Sequence, residues 1–170
     1  MENKLFGDKN YFTIELENMK RHRMTIWGDC SLWLNGYRLH DYTGEACVNA
    51  VFDSIQFISK NNMESIASIK IPETIQEIYN LEEKRKEIGL RIFFPGIEGF
   101  DNFLKLYSKD SEHAVFLWAL RPEPHIVNRS VYAGYPRGVQ QIIIENREIQ
   151  QIADEFKKTI NEILATEDDS

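Results

Sequence analysis

Thr25-Ile26-Trp27-Gly28-Asp29-Cys30-Ser31-Leu32-Trp33-Leu34-Asn35-Gly36-Tyr37-Arg38-Leu39 decides the fold. Aliphatic and aromatic residues run into Asn35-Gly36, and Tyr37-Arg38-Leu39 continues in the same vein. Asn and Gly tolerate positive φ, and the type I′ turn they favour matches the twist of two antiparallel strands. Residues 32–39 are therefore expected to form a tight hairpin, with residues 27–34 on one of its strands.

Upstream, Phe12-Thr13-Ile14-Glu15-Leu16-Glu17 alternates apolar and polar residues, which fits a strand in a sheet wet on one face. Downstream the period changes. Val48, Val51, Phe52, Ile55 and Ile58 recur at three and four, predicting a helix over residues 46–60 with one apolar stripe. A second helix is expected after Pro72, where Ile75, Ile78, Tyr79, Leu81 and Ile88 share a face and Gly89 can cap it. Residues 90–94 read as a strand stopped by Pro95-Gly96, and residues 100–107 as a short helix or an irregular stretch.

Residues 113–120 are nearly all apolar, which predicts a central strand. Residues 138–145 read as another strand, containing Val139 and Ile142-Ile143-Ile144. Pro122, Pro124, Gly134, Pro136 and Gly138 mark the connection between them as loop. The clearest helix comes last, with Ile149, Ile152, Ala153, Phe156, Ile160, Ile163 and Leu164 on its core face. Strands, helices, strands and a terminal helix, in that order, predict an α+β fold: a mostly antiparallel sheet with helices packed on one face. A chain of 170 residues can bury a sizeable core. The expectation is a single domain over residues 1–165, followed by an acidic tail, residues 166–170.

Chemistry is hard to find. Cys30 and Cys47 lack a CxxC partner, and His22, His40, His113 and His125 lack the spacing that sets two ligands on one face. Neither cysteine is followed by the turn-and-helix start that exposes a nucleophile; Cys47 opens a helix, whose amino terminus can lower a thiol pKa, but the expectation for both is a reduced, partly buried thiol. Glu82-Glu83 and Asp168-Asp169 are sequence neighbours whose side chains diverge, which does not split two carboxyl pKa values for acid–base work. Gly134-Tyr135-Pro136-Arg137-Gly138 offers glycines and an arginine but neither P-loop nor GxGxxG spacing. The expectation is no catalytic set, no metal and no cofactor, hence a binding protein rather than an enzyme.

The net charge of −7, with no basic stripe, argues against direct nucleic-acid binding. No apolar run spans a bilayer and no signal-like segment opens the chain, so a cytoplasmic protein off the membrane is expected. Trp27, Trp33, Tyr37 and Tyr42 gather around the hairpin. Such rings either stack across strands or anchor a partner.

Three motifs sharpen this outline. Leu5-Phe6-Gly7-Asp8, Phe12-Thr13-Ile14, and the stretch from Trp27-Gly28 to Asn35-Gly36 resemble the amino-terminal pattern of the immunity protein 42 family of bacterial polymorphic toxin and contact-dependent growth inhibition systems. The likeness is best over residues 5–60. It continues more weakly at Phe100-Asp101 and in the later strands and terminal helix, and residues 63–88 stay unplaced. Lys9 stands where the pattern would have proline after Asp8.

The resemblance implies a small cytoplasmic inhibitor that binds the toxin domain of a cognate effector, such as a nuclease with a basic cleft. On that footing Asp41 and Glu45, beyond the hairpin, are candidate charged contacts, with Trp33 and Tyr37 as aromatic anchors. The alternatives are a small-ligand protein or enzyme with a pocket near Tyr135 and Arg137, and an assembly subunit using the aromatic hairpin.

Overall fold

The computed structural model describes residues 2–39, 45–60, 105–108, 112–118, 134–136 and 138–166. Five strands form the first sheet: β1 (Lys4–Gly7), β2 (Phe12–His22), β3 (Thr25–Leu34), β4 (Tyr37–Leu39) and the short β5 (Ala46–Cys47). β1 to β4 lie side by side in chain order, and β5 also pairs with β3. Three more, β6 (Lys105–Ser108), β7 (His113–Trp118) and β8 (Gln140–Glu145), form a second sheet with β7 in the middle. Two helices complete the described chain, α1 (Val48–Lys60) and α2 (Asn146–Ala165). Every described strand pair is antiparallel, so the α+β expectation holds, with the strands divided between two sheets.

The hairpin forms as its sequence dictates. Asn35 and Gly36 take φ of 52° and 80°, both positive as a type I′ turn requires, and Leu34 pairs with Tyr37. That turn fixes the register, and the register fixes the faces. Ile26, Cys30, Leu32 and Leu34 of β3 point inward beside Phe12, Ile14 and Leu16 of β2, and all are buried. Trp27, Asp29, Ser31 and Trp33 alternate onto the outward face.

Alternation along β2 breaks after Glu17. Asn18 adopts a left-handed φ of 51°, and the register shifts so that Asn18 and Met19 together oppose Gly28. This bulge turns Met19 into the core in place of its neighbours. A Cβ on Gly28 would stand 2.8 Å from the Glu17 carbonyl oxygen and 3.2 Å from the Met19 Cα. Glycine is what admits the bulge.

The helices cover the inner face. Val48, Val51 and Ile55 of α1 are fully buried, and Phe52 stacks on Phe156 of α2 at 5.9 Å between ring centres. Phe6 of β1 meets Phe156 edge-on at 4.8 Å. Ile149, Ile152, Ala153, Phe156 and Ile160 are buried as expected, with Ile163 and Leu164 packed at the rim. Phe12 and Phe116, 5.3 Å apart, join the two sheets in the same core. Tyr11 adds a polar tie: its hydroxyl donates to the Ile143 carbonyl at 2.8 Å. Burial raises its pKa, and the nearby Glu148 carboxylate raises it further.

Two boundaries differ from the periodicity. Ala46 and Cys47, expected at the start of α1, instead pair with Gly28 and Trp27, because an available strand edge outweighs one more half-turn of helix. Residues 105–108 form a strand, where 100–107 read as helix or irregular, because the edge of β7 offers backbone partners that local sequence cannot reveal. The helix and strand expected between residues 72 and 94 lie outside the described residues.

Candidate interaction surface

The outward face of the first sheet gathers side chains that its register predicts to be neighbours. Trp33 pairs with Arg38 across one strand boundary and with Thr13 across the other. Glu15 lies two residues along from Thr13, on the same face. Its carboxylate accepts from the Trp33 indole Nε1 at 2.8 Å and from Lys9 Nζ at 2.6 Å, with the Arg38 Nε 3.7 Å away. Arg38 also donates to Ser31 Oγ at 2.9 Å and to Glu17. Lys9 Nζ sits 4.5 Å from the Trp33 ring centre, and the Arg38 guanidinium approaches the same ring at 5.9 Å.

Burial works to raise the Glu15 pKa, but Lys9, the Trp33 N–H and Arg38 outweigh it and hold the carboxyl below its ordinary value. Glu15 is 13% exposed, so this is a half-buried network and not a solvated surface pair. Its effect is to fix the Trp33 ring. Beside it, Thr13 is fully buried, and among the described residues its hydroxyl has no hydrogen-bond partner.

Lys9 reaches this network from a tight turn. Tyr11 N–H donates to the Asp8 carbonyl at 2.9 Å, and Asn10 N–H to the Asp8 carboxylate at 2.8 Å. The carbonyls of Lys9 and Tyr11 accept from Gly36 and Asn35, at 3.0 and 2.9 Å, which clasps the hairpin tip to the turn. Lysine in place of the expected proline thus gives up turn rigidity and gains a contact with Glu15 and Trp33.

Of the four residues singled out from sequence, the three described ones, Trp33, Tyr37 and Glu45, do not share one cluster. Trp33 stands in the outward network. Tyr37 pairs with the inward Leu34, so it lies on the other face of the hairpin, packed at the edge of the core with its ring 6.1 Å from Tyr135. Glu45 is exposed and bonded to Lys20, which raises the Lys20 pKa. Asp41 lies outside the described residues, as does Arg137 from the loop with Tyr135. Lys9, Glu15 and Arg38 are not singled out by residue type, although numbering outward from Asn35-Gly36 places Arg38 opposite Trp33.

Cys30 and Cys47 are thiols on opposite faces of β3 and β5, the first buried and the second half-buried. Among the described residues no group of three or more His, Cys, Asp or Glu is placed to hold a metal ion. No described helix is long and apolar enough to cross a membrane. A shallow depression of about 470 Å³ runs along solvated α2 side chains, among them Asp154, Lys158 and Glu162. It offers no apolar enclosure for a small ligand.

The family model described as immunity protein 42 matches residues 1–163. The chain belongs to that family. The match runs through residues 63–88, which the motifs leave unplaced, and includes both sheets and nearly all of α2. No curated protein and no solved structure matches the chain. Membership of immunity protein 42 implies a role in binding, against a toxin, rather than in catalysis. In this chain the Gly-Asp, Trp-Gly and Asn-Gly motifs build a clasped turn, a bulge crossing and a hairpin tip.

Proposed function

We propose that this chain is the immunity protein of a bacterial polymorphic toxin or contact-dependent growth inhibition system, binding the toxin domain of its cognate effector in the cytoplasm. The observation that carries this is the family match over residues 1–163. The toxin is a nuclease in this reading, and an inhibitor of net charge −7 would complement a basic cleft and speed association with it. Bound there, it would keep the toxin from its substrate by occupation of the cleft, with no chemistry of its own.

Trp33, Tyr37, Asp41 and Glu45 are the proposed contacts. Trp33 is the best prepared of them, because a ring held by Glu15, Lys9 and Arg38 loses little freedom on docking. Tyr37 would contribute from the rim of the same hairpin, and Asp41 and Glu45 would act mainly on the association rate.

Co-expression with the toxin domain encoded beside this chain tests the reading. Growth should be rescued from that toxin and not from unrelated ones, and calorimetry should detect a complex. Truncation of Trp33 to Ala should cost about 2 kcal/mol or more of binding. Charge reversal at Asp41 and Glu45 should weaken binding more at low than at high salt. No rescue and no complex at any ionic strength would end the immunity reading.

A further inference from the structure

The far end of the β2–β3 hairpin, opposite the Asn35-Gly36 tip, takes no part in the network around Trp33. β1 reaches along β2 only to the Lys4–Leu16 pair, and β5 meets β3 only at Trp27 and Gly28. Beyond these, among the described residues, two strands continue alone to the His22–Thr25 pair. Their inner side is fastened. Met19 and Ile26 are buried, and the Arg21 guanidinium donates to the carbonyls of Ile163, at 3.3 Å, and Thr166, at the negative end of the α2 dipole.

The turn and the outward side lie open. Met24 is 67% exposed and Trp27 40%, and Lys20, His22 and Arg23 are exposed with them. Lys20 and Trp27 are cross-strand partners on that outward side. The stretch Lys20-Arg21-His22-Arg23 is a basic run in an otherwise acidic chain, and unlike Lys84-Arg85-Lys86 it has no glutamate beside it in sequence. Glu45 offsets Lys20 and the helix end engages Arg21, so the charge facing outward centres on Arg23 with His22 beside it.

Arg23 also holds a φ of 54° at the first position of a two-residue turn. Glycine adopts that conformation without cost and arginine does not. Strain retained in an exposed turn points to a side chain kept for its contacts.

We propose that this end of the hairpin, from Lys20 to Trp27, docks onto an acidic, partly apolar patch of the cognate toxin domain, a proposal that rests on the immunity reading above. Charge complementarity selects the partner surface. Arg and Trp are the residue types that most often dominate a protein contact, and the fastened inner side means the hairpin enters already ordered.

Calorimetry of the full chain against the toxin domain encoded beside it provides the test, with Arg23→Glu, Met24→Ala and Arg23→Gly as variants. Arg23→Glu should weaken binding about tenfold or more at low salt, and the gap should narrow at about 0.5 M salt. Arg23→Gly should weaken binding while leaving Tm unchanged or higher, an outcome that a purely structural role for Arg23 would reverse. Wild-type affinity in all three variants would overturn this surface and leave the immunity reading standing. A wild-type chain that fails to bind would remove both. Capture of vesicles rich in anionic lipid, or of duplex DNA, that is lost in Arg23→Glu while toxin affinity is unmoved would also overturn the proposal, by assigning the hairpin end to another partner.

Discussion

The two sheets solve the same problem in different ways. In the first, β1 to β4 follow one another through short turns, and each pairing is set by residues close in the chain. One face is apolar and the other carries Glu15, Glu17, Asp29 and Arg38, so alternation is visible in the sequence. In the second, Trp118 pairs with Gln140 across a long connection, and Phe116, Leu117 and Trp118 of β7 are buried in succession. Ala114, Phe116 and Trp118 face the shared core, while Leu117, buried too, faces away from it. A strand buried on both faces shows no alternation, and its partners must be found at a distance. The first sheet is thus written locally, and the second depends on the rest of the molecule to assemble.

The comparison breaks if the sheets prove independent. Phe116→Ala removes the ring that meets Phe12 and should destabilise the whole fold by about 3–5 kcal/mol. Hydrogen exchange should then quicken in β2 and β3 as well as in β7. Exchange confined to the second sheet would show two separately folding units.

Gly28→Val probes whether the first sheet tolerates an ordinary strand residue at the bulge. A side chain there would collide with the Glu17 carbonyl and with Met19, and should cost about 1–3 kcal/mol in urea unfolding. Gly36→Ala tests the hairpin tip, where nothing crowds the added Cβ but φ is 80°. The backbone penalty alone should lower stability by roughly 1–2 kcal/mol. A loss as large at Gly36 as at Gly28 would mean that the turn, and not the crossing, governs the register.

Thr13→Val should act in the other direction. It removes a buried hydroxyl that has no partner among the described residues and should raise stability by about 1 kcal/mol. A destabilised variant would show that the hydroxyl is satisfied in solution, by water for instance.

The smallest effect concerns acid. The folded pKa of Glu15 lies below its ordinary value, so the stability it contributes is present above the unfolded pKa and is lost as pH falls through the folded one. Glu15→Gln should therefore flatten the acid limb of a Tm-against-pH curve and change little near neutrality beyond a constant offset. An unchanged acid limb would mean that the Lys9 and Trp33 contacts do not persist in solution.

The interaction surface was only partly legible in advance. Trp33 stood out by type, but its partners did not, because Lys9, Glu15 and Arg38 resemble solvated charges until the strands are laid side by side. Tyr37 belongs by residue type to the same aromatic set around the hairpin. Register separates them, since Trp33 and Leu34 point oppositely and Tyr37 follows Leu34.

What the sequence determined by itself was the set of local choices. Asn35-Gly36 could form one kind of turn, the alternation of β2 could suit one face, and the spacing along α2 could bury one stripe. Each is a property of consecutive residues, so each survives without knowledge of the whole. The tertiary structure alone decided that residues 105–108 would be a strand, that Ala46 and Cys47 would leave the helix for the edge of β3, and that Phe12 would meet Phe116. It also decided that Lys9 would close over Trp33. Backbone pairing and side-chain contact between distant segments carry free energies as large as local preference, and which segments meet is not encoded in either one alone.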